Sequence, residues 1–559
     1  MNLKGSPHRL LHIMIKTDLA EKYQHKTARE HCLDAPDTYI GSVEEEEQET
    51  WCFNGTKLEY KTHKIVQGLY KIFDEAVVNA RDHAIRLDTK IIKKSENIIP
   101  VSSIQINIDK ETGEIIIYND GNGIDIAEHP ETKLWIPEMI FGHLRTSTNY
   151  NKKEKKIVGG KNGFGIKLVF IYSIKASIET VDHMRGKKYY QEFKDNLSII
   201  GKPNIRKCGK SKPYTKVTFL PDYKRFGMEK LTDDMYNLLV KRCYDIGAVT
   251  SKQVKVKLNK ELLPVRTFEQ YIDLYIGTKA EKKRLYEVVN DRWEYAVAVS
   301  PLGEFSQVSF VNGIHTRKGG KHVEYLLNQI VKKLAIYIEK KKKIKVKPVT
   351  IKEQLMLFVK ADIENPSFDS QTKEYLSTPA SKFGSTCSVS DKIIDKLAKM
   401  GIMDNAIALT EIKDNKEAKK TDGKKTKNIR GIPKLLDANF AGGPRSSECI
   451  LILCEGDSAK AGVVSGLSKE DRNTFGVFPL KGKLLNTRDT SQIKINENAE
   501  IINIKKVMGL VSNKKYNNAE KVRNELRYGK ILFMTDQDLD GSHIKGLCIN
   551  LFHSQWPEL

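Results

Sequence analysis

The sequence predicts a multidomain chain, α+β through its first half and α/β in its last domain. Three observations carry that reading. Residues 99–118 and 175–220 alternate apolar and polar side chains, as in Ser103-Ile104-Gln105-Ile106-Asn107-Ile108, the pattern of half-buried antiparallel strands. Two continuous apolar runs, Cys449–Cys454 and Ile531–Thr535, read as strands buried on both faces, as in a parallel sheet. Between the two regions lies 413–428, with almost no apolar content, which reads as a mobile linker or hinge. The expected division is 1–245 for a two-layer sandwich with an N-terminal arm and 246–410 for a β-α-β domain. A basic linker follows at 411–445, then an α/β domain at 446–559.

Taken in order, the first informative element is Phe73–Asp82. Its apolar residues recur at helical spacing, and Glu75, Asn79 and Asp82 fall at i, i+4 and i+7 on one face. A solvated face would carry Lys and Arg among its acids. An acid, an amide and a second acid in line suit a base for water, an oxygen ligand for Mg²⁺ and a helper. The strand Ile115–Tyr118 then leads into Asn119-Asp120-Gly121-Asn122-Gly123. Taken alone this is a plain turn, but an Asp just past a strand, beside two glycines, can also accept from an exocyclic amine.

Val158-Gly-Gly-Lys161-Asn162-Gly163-Phe164-Gly165-Ile166-Lys167 places four glycines in seven residues before an apolar run. Such a loop aims successive N–H groups at one point, and the run after it reads as a helix start with Lys167 in its first turn. Donors, a helix N-terminus and a cation together form an anion site, best suited to a polyphosphate. The spacing is not a P-loop, because Ile166 stands where its Lys should be. Nor is it the dinucleotide fingerprint, since a basic loop, not a strand, precedes it.

In the second domain, strand-like runs at Gln253–Leu258, Trp293–Ser300 and Gln307–Val311 precede a helix from Val323 through Tyr337. The densest basic run follows, with Lys341, Lys342, Lys343 and Lys345 at its centre. Charge runs are usually solvated helix ends, and by itself this one reads so. In the last domain, the two apolar strands are followed at once by Glu455-Gly-Asp-Ser-Ala and by Asp536-Gln-Asp538-Leu-Asp540-Gly541. If the strands are parallel, the carboxylates meet at the carboxyl edge of one sheet, where α/β folds place ligands. Four clustered carboxylates repel unless divalent cations neutralise them, and Mg²⁺ fits because it leaves room for phosphate oxygens. An EF-hand is excluded, since its twelfth position would be Leu547 and a strand, not a helix, precedes the loop.

Composition bounds the rest. The 559 residues carry a formal charge of +23, which on a nucleotide-binding chain favours a polyanion partner, nucleic acid first. No apolar run approaches a membrane span, and the first residues do not form a signal peptide. The eight cysteines are scattered without a Cys-x-x-Cys pair, so reduced thiols and no zinc site are expected.

The ordered set resembles the ATPase domain of the GHKL group and, more closely, that of type IIA DNA topoisomerases. The resemblance extends to Phe141–Tyr150, to 21–43 with Tyr23, to the transducer-like segment Phe310–His322 and to Asp369–Glu374. It continues through the TOPRIM-like pair Glu-Gly-Asp-Ser-Ala and Asp-x-Asp-x-Asp-Gly, with Pro479–Leu484 and Leu526–Lys530 between or beside them. Lys161 stands where Arg is common in the family, Ile166 where Ala is usual, and Lys481 where Arg is commoner. By resemblance, the fold is a GHKL (Bergerat) sandwich, a transducer domain and a partial Rossmann-like TOPRIM domain. Glu75 is then the general base, Asn79 the Mg²⁺ ligand and Asp120 the adenine reader. Ser147, Thr148 and Asn149 hold ribose and phosphate, Lys161 through Lys167 wrap the phosphates, and Gln371 and Lys373 reach the γ-phosphate. Tyr23 caps the nucleotide of a partner subunit in a homodimer. Glu455, Asp536, Asp538 and Asp540 hold Mg²⁺ at the scissile phosphate, and Lys481 and Lys483 join the basic run as DNA contacts. No segment resembles the family's cutting-tyrosine motif, so that residue is expected from a winged-helix half, in the same gene product or a separate subunit. The chain alone is then expected to be an ATPase only. The rivals are another GHKL clamp, against which the TOPRIM-like pair argues, and a non-catalytic DNA scaffold, against which Glu75, Lys167 and Lys373 argue. The Lys-, Ile- and Asn-rich composition suggests a lower eukaryote or a large DNA virus, hence a nuclear location or that of an infected host.

Overall fold

The computed structural model describes residues 23, 25–92, 96–144, 146, 155–160, 163–488 and 490–559. It divides into two compact units, 1–403 and 404–559.

In the first unit, a hairpin of β1 (Glu45–Phe53) and β2 (Leu58–Val66) runs directly into the long helix α1 (Gln67–Ile92). Sixteen of its 26 residues are buried, charged ones among them. The sheet beside it is built from β3 (Ser103–Ile108), β4 (Ile115–Asp120), β5 (Ser173–Asp182), β6 (Lys187–Lys194), β7 (Ile199–Ile200), β8 (Asn204–Lys207) and β9 (Tyr214–Pro221). Strands β3, β4, β9, β5 and β6 are antiparallel neighbours in that order, and their buried residues alternate as expected. Helix α2 (Gly165–Ile171) and helix α3 (Asp233–Val249) pack with α1 to give the second layer.

Two expectations shift here. The sheet does not end with the first domain's predicted boundary: β10 (Lys255–Leu258) pairs parallel to β3, and β11 (Glu261–Leu262) pairs with β10. The run Gln253–Leu258, expected in the second domain, therefore lies on the first sheet. An alternating strand fits any sheet that covers its apolar face, so periodicity could not decide its partner.

The second sheet of this unit has the order β12-β13-β16-β14-β15, from β12 (Arg284–Asn290), β13 (Trp293–Val299), β14 (Ser306–Val311), β15 (Ile314–His315) and β16 (Leu355–Ala361). Strands β14 and β16 are parallel, joined across helix α4 (Lys321–Lys342).

The second correction concerns 413–428. Helix α5 (Met403–Thr421) runs through its first half, so the stretch is not a bare linker. Lys and Glu are good helix formers, and Ala406, Thr410 and Ala418 give the helix a buried side. In the second unit, β17 (Ile450–Glu455) is the central strand of a three-stranded parallel sheet, flanked by β18 (Phe475–Leu480) and β19 (Lys530–Met534). β17 is buried as expected, but β19 is an edge strand, with Leu532 44% and Met534 41% exposed. Among the described residues no helix is long and apolar enough to cross a membrane, and all eight cysteines are free thiols.

Candidate nucleotide site and carboxylate edge

Helix α1 brings its expected face to the glycine loop. Glu75 is 5% exposed and Asp82 1%, while Asn79 is half-buried. Asp82 accepts from the N–H of Gly159 at 3.0 Å and of Gly160 at 2.8 Å, so it moors the start of the loop to the helix. Burial holds its carboxyl above the usual range despite those donors and the nearby Arg81 and Arg86. The loop is also tied to the second sheet, since Asn312 donates to the carbonyl of Val158 at 3.2 Å.

Glu75 sits where the loop becomes helix α2. A β-carbon on Gly165 would come 2.1 Å from its Oε2, so only glycine lets the carboxylate approach that helix N-terminus. Its Oε1 takes two ammonium groups, Lys373 at 2.6 Å and Lys71 at 2.8 Å. Burial alone would raise the acid's pKa, but the two lysines outweigh burial and bring it down to about 2. Lys167 is buried and donates to the carbonyl of Thr146 at 2.6 Å, and loss of hydration lowers its pKa to about 8. Lys373 has φ 63°, and its neighbour Glu374 moors the loop through Gln67 at 3.0 Å, Arg317 at 2.9 Å and Lys318 at 2.7 Å. Gln371 lies in the same turn. Gly163 has φ 70°, and Phe164 stands at the N-cap of α2 against Tyr39. Ile166 is buried in the core behind the loop.

Sequence reasoning missed Lys71 and the charges behind it. Asp74 accepts from Lys71 at 3.3 Å and from Arg242 at 2.7 Å, and Arg242 donates to the carbonyl of Gly313 at 2.8 Å. The available signal was a Lys and an Asp inside an otherwise apolar helical run, at i−4 and i−1 from Glu75.

The remaining expectations fare unevenly. Asp120 is half-buried and is the last residue of β4, not one past it. Its carboxylate accepts from the Ser102 N–H at 2.7 Å, the Ser103 N–H at 2.8 Å and the Ser102 hydroxyl, all at the head of β3. Tyr23 is 71% exposed. Ser147, Thr148, Asn149, Lys161 and Asn162 lie outside the described residues. The basic run forms the last turn of α4, with Lys343 as its left-handed C-cap, Lys341 over the Tyr337 ring and Lys345 4.0 Å from Glu339. Cations there also complement the helix dipole.

In the second unit, register pairs Cys454 with Met534, so Glu455 and Asp536 stand at the same carboxyl edge, the Asp536 N–H 3.4 Å from Glu455 Oε2. Asp538 caps helix α6 (Leu539–Gln555), accepting from the Gly541 N–H at 2.7 Å, and Asp540 pairs with Lys483 at 2.9 Å. Lys481 is exposed on the loop after β18. Among the described residues no three His, Cys, Asp or Glu side chains are already gathered on a point that could hold a metal. The donors are nonetheless all hard carboxylate oxygens at an open edge, which suits a divalent cation sharing its shell with phosphate.

Three family models match in chain order. "Histidine kinase-, DNA gyrase B-, and HSP90-like ATPase" matches residues 65–225, "DNA gyrase B" residues 255–428 and "Toprim domain" residues 450–558. The ATPase and Toprim models imply use of a nucleotide and a divalent metal ion. The chain is 46% identical over 548 residues to DNA topoisomerase 2 of Arabidopsis thaliana, across 97% of this chain and 36% of that protein. It is 45% identical to DNA topoisomerase 2 of Acanthamoeba polyphaga mimivirus, across 97% of this chain and 42% of the relative. The chain thus spans a little over a third of the length of the plant relative. The crystal structure of the ATPase region of Saccharomyces cerevisiae topoisomerase II superposes with a TM-score of 0.65 at 41% identity, covering 70% of this chain and 100% of that one. A likeness of that identity, running through three domains in one order, places the chain in the type IIA DNA topoisomerase family.

Proposed function

We propose that this chain is the ATP-operated gate and the metal-binding part of the cleavage centre of a type II DNA topoisomerase, which passes one duplex through another. The observation that carries the ATPase reading is the Glu75 carboxylate, set against the N-terminus of α2 at Gly165 and bonded to Lys373. ATP fits there as substrate. Its phosphates lie along the loop from Lys161 through Lys167, with Asn162, Gly163, Phe164, Gly165 and Ile166 supplying backbone and close approach. Asn79 offers the one protein oxygen that Mg²⁺ needs beside phosphate oxygens. Glu75 takes the proton of the attacking water, and Gln371 and Lys373 steady the γ-phosphate. Asp120 reads adenine, and Ser147, Thr148 and Asn149 hold ribose and phosphate. Tyr23 reaches the nucleotide of the second copy, so the nucleotide favours a homodimer by mass action.

In the Toprim domain, Glu455, Asp536, Asp538 and Asp540 would hold Mg²⁺, which supplies charge stabilisation for the attacking and leaving oxygens of DNA transesterification. Lys481, Lys483 and the run Lys341, Lys342, Lys343 and Lys345 contact duplex DNA without reading its sequence. The nucleophilic tyrosine is assigned to a winged-helix half, on the same gene product or another subunit. The compartment proposed is the nucleus, or the nucleus and cytoplasm of an infected host.

The test is Mg²⁺-dependent ATP hydrolysis by this chain. Glu75→Gln keeps the pocket and removes the base, so it binds a nucleotide analogue like wild type and loses turnover by about a hundredfold or more. Equal hydrolysis by both proteins refutes the assignment.

A further inference from the structure

We infer that Lys71 is the positioning residue of the hydrolytic base: it holds Oε1 of Glu75, and so leaves Oε2 as the oxygen that faces the reacting phosphate. The inference rests on the ATPase reading above and adds a residue to it. Both lysines bond the same oxygen, Lys71 at 2.8 Å and Lys373 at 2.6 Å. They are not equivalent. Lys373 belongs to a loop whose proposed partner is the γ-phosphate, so a bound nucleotide competes with Glu75 for it. Lys71 has no such alternative, because it lies one turn before Glu75 on α1 and is 3% exposed.

Lys71 is itself fixed. Asp74 lies 3.3 Å from its ammonium, Arg242 holds Asp74 at 2.7 Å, and Arg242 is anchored on the carbonyl of Gly313 at 2.8 Å. All four side chains in that line, Glu75 included, are buried. The other oxygen, Oε2, is the one a β-carbon on Gly165 would meet at 2.1 Å, so it points at the end of the phosphate loop. When Lys373 turns to the phosphate, Glu75 would be an unpaired buried carboxylate free to rotate, were Lys71 not there. With Lys71 in place, one oxygen stays pinned and the other receives the proton as the water oxygen bonds to phosphorus and the bond to the leaving ADP oxygen breaks.

The experiment compares Lys71→Met, Lys71→Gln and Lys71→Arg in steady-state ATP hydrolysis by this chain. Binding of a non-hydrolysable analogue and thermal melting are measured on each. The expected result for Lys71→Met is a kcat lowered about tenfold or more, with KM and analogue affinity within about twofold of wild type, because misdirection of a reacting group acts on the chemical step. Lys71→Arg, which keeps the charge and a donor, recovers most of the lost kcat. If Lys71→Met fails to melt cooperatively, Lys71→Gln decides, since it keeps a neutral donor in the same space. A folded Met or Gln variant with kcat within twofold of wild type overturns the inference, as does a loss confined to KM. The outcomes separate from failure of the ATPase reading, in which wild type itself would not hydrolyse ATP or Glu75→Gln would match it.

Discussion

Replacing Gly165 with Ala isolates the approach of Glu75, the proposed base, to the glycine loop. A real β-carbon stays about 3.0 Å or more from its neighbours, whereas one on Gly165 would lie 2.1 Å from Glu75 Oε2, so the carboxylate must retreat by about 0.9 Å. It cannot retreat for nothing, because its other oxygen holds Lys71 and Lys373 at 2.8 and 2.6 Å. Two effects on stability oppose each other. Gly165 is the first residue of α2 and its φ is not positive, so Ala fits the backbone and gains up to ~1 kcal/mol in helix propensity. Overpacking a buried site costs ~1–3 kcal/mol. The net loss of stability is therefore modest, about 0–3 kcal/mol by those two figures. Catalysis has no such compensation, since displacing a reacting group by about 1 Å costs roughly a hundredfold in rate, ~2.7 kcal/mol of transition-state stabilisation. The assay is kcat for ATP on a variant shown to be folded by its melting transition and by analogue binding. A folded Gly165→Ala protein with kcat within threefold of wild type would show that Glu75 Oε2 does not need this position.

Two further outcomes follow from the charges of Lys167 and of the basic run. Burial lowers the Lys167 pKa to about 8, so kcat/KM for ATP, which reports the free enzyme, falls as pH rises past 8, and Lys167→Arg removes that limb. The stability effect has the opposite sense: the unfolded chain binds this proton more tightly, so Lys167 destabilises the fold below about pH 8 and the penalty fades as pH rises toward 10.5. A profile flat to pH 9.5 would show that the charge of Lys167 is not used. Replacing Lys341, Lys342, Lys343 and Lys345 with Ala should flatten log K against log salt for duplex DNA by about 0.9 for each phosphate contact removed, and an unchanged slope would leave the run as a helix C-cap only.

The elements that were legible in the sequence are those whose signal is local. The face of α1 carrying Glu75, Asn79 and Asp82, the glycine loop opening α2, and β17 each follow from periodicity or composition within about a dozen residues. What was not legible depends on residues far apart in the chain. The run at 255–258 alternates correctly but carries no sign that it lies beside Ser103–Ile106. The apolar run of β19 looked fully buried because apolar content does not tell a central strand from an edge. Glu455 and Asp536 stand at one sheet edge as the parallel strands require, while Asp538 caps α6 at Gly541 and Asp540 pairs with Lys483. The cap follows from local spacing, but the pairing of Asp540 with Lys483, 57 residues away, leaves no mark in it.

The buried charges of α1 show why the missed residues belong to the same device as the expected ones. Successive positions on a helix point about 100° apart, so Asp74 and Glu75 cannot serve one face. Glu75 faces the phosphate loop. Asp74 faces α3, where Arg242 carries its charge on to the carbonyl of Gly313 in the turn between β14 and β15. Arg81, seven residues after Asp74, repeats the arrangement by pairing with Asp362 just past β16 at 3.2 Å. Gly313 is moreover the position where a β-carbon would strike Arg81, at 2.3 Å from Cδ. Burying so many ions is a poor way to gain stability, because desolvation offsets most of the attraction, while breaking one partner costs ~3–5 kcal/mol. Apolar residues of similar size would hold α1 to the second sheet at least as firmly. What they could not supply is a continuous line of ionic contacts from Glu75 to the turn of that sheet. If Lys373 turns to a bound phosphate as proposed, Lys71 is left as the ammonium on Glu75, with Asp74, Arg242 and the Gly313 carbonyl in line behind it.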